Sequence, residues 1–235
     1  MFKSIKRYIT RRRCISCGST FCHQEFRLIC PSCIKLIVPI DKKKGTKCRI
    51  CNSYLYESSA DICYSCLNQS YQFTKNTSIY YYNNPIIKEL VHSLKFLSNT
   101  SAAYDISLLL KDKIQNYLSN KKYDIITITP ISRKALRKRG FNQVALILNL
   151  CKVNFTEIFT RKEHKKHQSE LTAEERKEKI IGQFELIKDK ANLVKNKNVL
   201  LIDDIFTTGN TANEISGVLI KNLAKSVDVL TFFKD

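Results

Sequence analysis

From about residue 78 onward the chain alternates short apolar runs with stretches of helical period. Ile79-Tyr80-Tyr81-Tyr82 reads as a short strand rich in strand-forming residues. Pro85 then opens a run with apolar residues at Ile86, Ile87, Leu90, Val91, Leu94 and Leu97, one face of a helix. Proline is tolerated in that first turn. A second amphipathic helix is expected over about Asp105 to Leu118. Asp124 to Thr129 is β-branched, ends at Pro130 and reads as a buried strand. Asn142 to Cys151 is apolar and helical, and Phe155 to Phe159 is expected as another strand. Lys162 to Lys179 is almost wholly polar, a loop or an exposed helix. Val199 to Ile202 is a fully apolar strand. Thr211 to Ala224 is a helix with Ile215, Val218, Leu219 and Leu223 on one face, and Val227 to Phe233 closes the chain as a strand. Strands that are apolar on both faces and alternate with helices predict an α/β fold with a parallel sheet.

The first 70 residues have a different texture. Nine of the ten cysteines lie before residue 67, with little helical or strand periodicity around them. We therefore expect two domains, a cysteine-rich module over 1–70 and an α/β domain over 71–235. Four Cys-x-x-Cys pairs occur, Cys14/Cys17, Cys30/Cys33, Cys48/Cys51 and Cys63/Cys66. Each such turn aims two thiolates at one point, and two turns supply the four sulfurs of a tetrahedral zinc site. Eight cysteines thus make two closed, structural Zn2+ sites, which substitute for a core that so short a segment scarcely builds alone. Sequential pairing, first with second and third with fourth, is expected over a cross-braced one, although spacing does not decide between them. A disulfide framework would need an oxidising compartment. A thioredoxin-type pair would need one motif at a strand–helix junction rather than four in loops. Cys22 and Cys151 read as ordinary small residues, and His23 is not needed as a ligand.

Charge adds a partner class. The chain carries 40 Lys+Arg against 21 Asp+Glu, a formal net charge of +19. Of these, 13 basic and 4 acidic residues fall in the first 70 positions, so positive charge is densest on the cysteine module. Such an excess favours a polyanionic partner, nucleic acid first among them; high solubility is the plainer alternative. No apolar run approaches the ~18 residues of a membrane span. The basic start lacks the apolar stretch of a secretory leader, so a cytoplasmic protein without membrane insertion is expected.

The sharpest motif is Val199-Leu-Leu-Ile-Asp203-Asp204-Ile-Phe-Thr207-Thr208-Gly209-Asn210-Thr211, running into a helix. An apolar strand delivers two carboxylates to the sheet's carboxyl edge, where parallel sheets bind ligands. The following turn leads to free backbone N–H groups at a helix N-terminus, an anion nest to which Thr207, Thr208 and Thr211 add hydroxyls. Gly209 allows close backbone approach. Two acids beside a phosphate nest suit a sugar phosphate. A nucleoside-triphosphatase reading of the Asp-Asp strand would need Gly-x-x-x-x-Gly-Lys-Ser/Thr, and none of the six glycines sits in one. The strand at 124–129 runs into a second charged stretch, with Arg133, Lys134, Arg137, Lys138 and Arg139 in seven positions. At the same edge these cations face a pyrophosphate or a nucleic-acid backbone; a solvated basic loop is the alternative.

Residues 199–211 resemble the phosphoribosyl pyrophosphate signature of type I phosphoribosyltransferases. That resemblance implies that Asp203 and Asp204 read the ribose hydroxyls and that Thr207 to Thr211, with Gly209 and Asn210, hold the 5-phosphate. The order of features over nearly the whole chain resembles the ComF (ComFC) family, which joins a double zinc ribbon to a phosphoribosyltransferase-like domain. It rests on the four Cys-x-x-Cys pairs, on Tyr82-x-x-Pro85…Leu90…Leu94-Lys95-Phe96 and on Arg139-Gly140-Phe141-Asn142-Gln143. Gln168-Ser169-x-Leu171…Glu175-Arg176…Gly182-x-Phe184 follows, then the 199–211 motif. Lys179 stands where the family often has Asn, and only Pro130 remains of its usual Pro-x-Pro.

The resemblance implies a competence protein of the cytoplasm that handles incoming single-stranded DNA and binds phosphoribosyl pyrophosphate with Mg2+. The alternatives are an active phosphoribosyltransferase for an unidentified acceptor, and a zinc-ribbon adaptor to a DNA-uptake helicase. Whether a transfer is catalysed stays open. Lys162 to Lys179 is the candidate lid, with His164 and His167 read as solvated. Tyr54, Tyr56, Tyr64, Tyr71 and Phe73 either stack bases or pack small cores.

Overall fold

A computed structural model of the chain describes residues 11–22, 25–42, 45–55, 60–162 and 182–235. His23, Tyr56, and all but Lys162 of the candidate lid, with His164, His167 and the 168–176 landmark, lie outside the described residues.

Four parallel strands form the central sheet. We label the strands β1 (Arg12–Arg13), β2 (Thr20–Phe21), β3 (Lys75–Tyr81), β4 (Ile125–Ile128), β5 (Phe159–Arg161), β6 (Phe184–Leu186), β7 (Asn198–Phe206) and β8 (Ser226–Lys234). The sheet order is β3-β8-β7-β4. Because side chains alternate across a strand, β7 and β8 feed two separate cores. Leu200, Ile202, Leu230 and Phe232 point into one. Val199, Leu201, Val227 and Val229 point into the other. Strands buried on both faces need apolar residues at successive positions, which is how these runs read in sequence.

Helices cover each face. Over the first lie α3 (Pro85–Phe96), α4 (Thr100–Ser119) and α6 (Gln143–Leu150); over the second lies α7 (Asn210–Lys221). The other α-helices among the described residues are short, α1 (Pro31–Lys35), α2 (Tyr64–Leu67) and α5 (Arg133–Arg139). Asn84 caps α3, accepting from the backbone N–H groups of Ile86 and Ile87, with Pro85 in the first turn.

Several boundaries differ from the sequence reading. The α4 helix starts five residues earlier than expected, because Asn99 caps it and accepts from Ser101 N. The strand expected at 155–159 lies instead at Phe159–Arg161, where it pairs antiparallel with β6. Over 155–158 the chain makes a single bond to the sheet strand β4, Thr156 N to the Ile126 carbonyl at 2.8 Å. Leu223, placed on the helix face by spacing, lies beyond the end of α7 with φ of 65° and is exposed. The basic stretch is helical over Arg133–Arg139, capped by Ser132 at its start and by Gly140 in the left-handed region at its end.

Neither cysteine group has a core of its own among the described residues. Cys14, Cys30 and Cys33 belong to the cluster built by α3, α4 and α6. Cys48, Cys51 and Cys66 belong to the cluster under α7. Asp105 in α4 is the anchor of the first group. Fully buried, it accepts from the backbone N–H groups of Arg27 (2.8 Å), Leu28 (2.7 Å) and Ile29 (3.3 Å). Burial holds its carboxyl above the usual range, and the three donors offset only part of that rise.

Asp105→Ala leaves three N–H groups without that acceptor and is expected to lower stability by roughly 2–4 kcal/mol. Asp105→Asn keeps one carbonyl oxygen and loses less. Urea unfolding of the two variants against wild type checks the order; equal stability of all three would refute the anchor.

Candidate functional site

The acidic pair lies inside β7, not after it. The neighbouring β4 ends at Ile128 opposite Ile202, while β7 continues paired with β8 to Phe206. Asp203 and Asp204 therefore project past the end of β4, at the carboxyl edge of the sheet. As successive strand residues they face opposite sides.

Asp204 is buried and held by two donors on one oxygen. Lys95 Nζ from α3 and Gln143 Nε2 from α6 both lie 2.7 Å from its Oδ2. The string Arg139 to Gln143 builds this arrangement. Arg139 spends its guanidinium internally, Nε to the Lys95 carbonyl at 2.9 Å and Nη1 to Gln143 Oε1 at 2.6 Å. The latter contact leaves the Gln143 amide nitrogen to donate to Asp204. Gly140, at φ of 82°, turns the chain from α5 into α6. Asn142 caps α6 by accepting from Val144 N at 2.9 Å and donates to the Thr129 carbonyl at 3.0 Å. Arg139 is thus set apart from Arg133, Lys134, Arg137 and Lys138, which are exposed on α5.

Asp203 is held differently. Its Oδ1 accepts from Asp204 N at 2.8 Å. Burial, and next the Asp204 charge, push its carboxyl up to about 7. Burial pulls the Arg161 guanidinium, at the end of β5, below its usual range, against the opposing Asp203 charge, and Arg161 donates to Gln183 Oε1 at 2.9 Å.

The threonine-rich loop follows. Thr207 and Thr208 are exposed, and Gly209 is the N-cap of α7 at φ of 80° with no side-chain cap. Gly209 itself offers no capping side chain; Asn210 N makes one long bond, 3.4 Å, to Thr208 Oγ1, and the Thr211 and Ala212 N–H groups have no acceptor among the described residues, the condition for anion binding. Gly209 is fixed by crowding as well as by φ. A Cβ there would lie 2.7 Å from Phe206 Cζ and 3.1 Å from Tyr71 Cε1. The structure so brings Asp203, Asp204, Thr207, Thr208, Gly209, Asn210 and Thr211 to one edge. Sequence reasoning gave no role to Lys95 and Gln143, although both stood inside quoted landmarks. It missed Asp105, Tyr71 as a loop contact, and Asn213 altogether.

The eight paired cysteines gather as Cys14, Cys17, Cys30 and Cys33, and as Cys48, Cys51, Cys63 and Cys66. This is the sequential pairing. Sulfur separations are 3.8 Å for Cys14–Cys33, 3.7 Å for Cys17–Cys30 and 3.6 Å for Cys51–Cys63. A tetrahedron with Zn–S bonds of about 2.3 Å has edges of about 3.8 Å, so the donor sets fit a metal ion. All are far from the ~2.05 Å of a disulfide. Cys22 is exposed and Cys151 buried, both apart from these groups. Of the aromatics near them, Phe73 is buried, Tyr54 stacks on Tyr81 with ring centroids 6.1 Å apart, and Tyr64 is exposed. No described helix is long and apolar enough to cross a membrane.

Comparison with known proteins adds the family. A family model described as "Phosphoribosyl transferase domain" matches residues 97–235. "Competence protein F" of Haemophilus influenzae is 28% identical over 225 residues, 92% of this chain and 94% of that protein. "Competence protein ComFC" of Streptococcus pneumoniae is 26% identical, over 93% of this chain and 85% of its own. "DNA utilization protein YhgH" of Escherichia coli is 29% identical over 62% of this chain and 66% of its own. Lys95 and both cysteine groups lie outside the matched domain. Matched by the family model over more than half of its length, the chain belongs to the phosphoribosyl transferase domain family, and its near-full-length similarity is to ComF-type proteins.

Proposed function

We propose that this protein acts in competence-associated DNA uptake as a cytoplasmic, ComF-type protein that binds phosphoribosyl pyrophosphate and handles single-stranded DNA. One arrangement carries the sugar-phosphate reading: two carboxylates past the end of β4, followed by an α7 N-terminus whose N-cap is a glycine and whose nearest side-chain acceptor, Thr208 Oγ1, makes only a 3.4 Å bond to Asn210 N. In this reading the N–H groups of α7 and the hydroxyls of Thr207, Thr208 and Thr211 take the 5-phosphate. Asp203 and Oδ1 of Asp204 accept from the ribose hydroxyls, since Oδ2 of Asp204 is occupied by Lys95 and Gln143. Mg2+ enters with the pyrophosphate, which Arg133 and its neighbours on α5 face. The four-cysteine groups each hold a structural Zn2+, and the division near residue 70 is one of role, not of separate cores. DNA takes the exposed cations, Arg133, Lys134, Arg137 and Lys138 on α5 and those of the cysteine module. A DNA-uptake helicase is the protein partner this role calls for.

Two titrations on one sample test the reading. Wild type and Asp203→Asn/Asp204→Asn are titrated with phosphoribosyl pyrophosphate plus Mg2+ and with single-stranded DNA over a range of salt. The variant is expected to lose at least about tenfold in sugar-phosphate affinity, the scale of one charge-assisted hydrogen bond. It keeps its DNA affinity, whose logarithm falls linearly with log salt by about 0.7 per phosphate contact. Unchanged ligand binding would remove the site assignment, and salt-independent or absent DNA binding would remove the DNA role.

Asp203 also sets a pH dependence. Its folded-state pKa of about 7 lies above the ordinary 3.8, so between those values the folded chain binds more protons than the unfolded one. Its contribution to stability is therefore full at the acid end and is lost as pH rises through about 7. Ligand affinity should move the other way, because the ionised carboxylate is the acceptor. Unfolding and ligand titrations at pH 5, 6, 7 and 8, set as test points on the order of one unit apart, should show both trends. Asp203→Asn should flatten both; if it leaves them intact, another group is responsible.

A further inference from the structure

The second four-cysteine group and the threonine-rich loop are connected by one short segment, 69–73, which runs from the end of α2 into β3. Every residue of that segment except Phe73 makes a polar contact, and most reach the loop or α7. The Tyr71 hydroxyl lies 3.2 Å from the Thr208 carbonyl and 2.6 Å from Gln69 Oε1, one proton serving both acceptors. The backbone N–H of Gln72 donates to Asn213 Oδ1 at 2.6 Å, and Asn213 Nδ2 returns to the Ser70 carbonyl at 3.4 Å. The Tyr71 ring closes over Gly209, and it packs on Phe73 (centroids 4.8 Å), which meets Phe206 edge-on at 6.1 Å. On the other side, Asn76 N donates to the Ile50 carbonyl at 2.6 Å and Asn76 Nδ2 to the Cys51 carbonyl at 3.4 Å. Cys48, Cys51 and Cys66 share their buried cluster with Phe206, Ala212 and Ile215. The first group shares its cluster with α3, α4 and α6 instead.

We propose that residues 69–73 act as a strap through which metal at Cys48, Cys51, Cys63 and Cys66 positions the 207–213 loop, so that metal and loop ligand stabilise each other. The strap begins three residues after Cys66, and α2 has only four residues, too few to persist without a tether. A metal ion joining Cys63 and Cys66 to Cys48 and Cys51 supplies that tether. Without it the strap slackens, Thr208 loses its hydroxyl partner, and Gly209 loses the ring that walls it. Linkage makes the effect reciprocal. The proposal rests on the reading of 203–211 as the phosphoribosyl pyrophosphate site, and on zinc as the metal.

The test uses the full chain with zinc bound, phosphoribosyl pyrophosphate with Mg2+ as ligand, and two readouts. Amide hydrogen exchange is followed at 206–213 in wild type, in Cys63→Ser/Cys66→Ser and in the control Cys14→Ser/Cys17→Ser. Faster exchange there is expected in the first variant and not in the control. Zinc transfer to a chromophoric chelator is followed with and without ligand. Saturating ligand should slow release of one of the two zinc ions several-fold and leave the other unchanged. Tyr71→Phe, which removes only the hydroxyl, should keep two zinc ions per chain and weaken the ligand roughly 2- to 10-fold, the scale of one neutral hydrogen bond. This variant decides the matter if the cysteine variants do not fold. Unchanged exchange at 206–213, or unchanged ligand affinity in Tyr71→Phe, would overturn the strap. If wild type binds no phosphoribosyl pyrophosphate but exchange at 206–213 still depends on the second group, the ligand reading falls and the coupling stands.

Discussion

A buried carboxylate at the end of a parallel strand needs partners, and Asp204 obtains them from two helices at once. Taking that charge out of water costs several kcal/mol unless good donors meet it. Lys95 brings a charge from the last turn of α3, and Gln143 brings an amide from the first turn of α6. Arg139 then binds both suppliers, the Lys95 carbonyl and the Gln143 amide oxygen. Three stretches far apart in sequence are thereby fixed in register around one oxygen. The consequence for chemistry is an asymmetric pair. Asp204 is bonded directly to a cation and an amide, while Asp203, one residue earlier and on the other face, is partly buried and has its carboxyl pushed up to about 7 by desolvation and next by the Asp204 charge.

The cysteine module follows the same economy of shared structure. A segment of about 60 residues is only marginally stable on its own core. Here each four-cysteine group adds its buried residues to a core that the sheet already builds, one group on each face. Asp105 secures the first by capping three backbone donors, and the 69–73 segment secures the second against α7. The second group shares its buried cluster with Phe206, Ala212 and Ile215, next to the 203–211 edge.

Much of this was legible in the residues. Strands β7 and β8 are apolar at consecutive positions because both their faces are buried, and α3 showed its face through Ile86, Ile87, Leu90, Val91 and Leu94. The Cys-x-x-Cys pairs and the Asp203–Thr211 motif announced chemistry because few other functions need those residues at that spacing. What failed was non-local. Phe155 to Phe159 has strand composition, but the pairing that forms β5 comes from β6, across an intervening polar stretch. Leu223 kept helical spacing although the helix had ended. Lys95 at a helix C-terminus reads as a partner for the helix dipole, and nothing local points to Asp204. The expected sequential cysteine pairing is the one observed, although spacing alone did not decide it, since the three gaps are nearly equal.

The most direct test of the central interaction is a double-mutant cycle between Lys95 and Asp204. Unfolding free energies are measured for wild type, Lys95→Met, Asp204→Asn and the double variant. A buried, directly bonded ion pair predicts that each single change is costly, since it strands the other charge. The double variant should then be more stable than the sum of the two losses allows, with a coupling energy of about 1–3 kcal/mol. Strict additivity, within about 0.5 kcal/mol, would mean that the two groups do not depend on each other and would contradict the account.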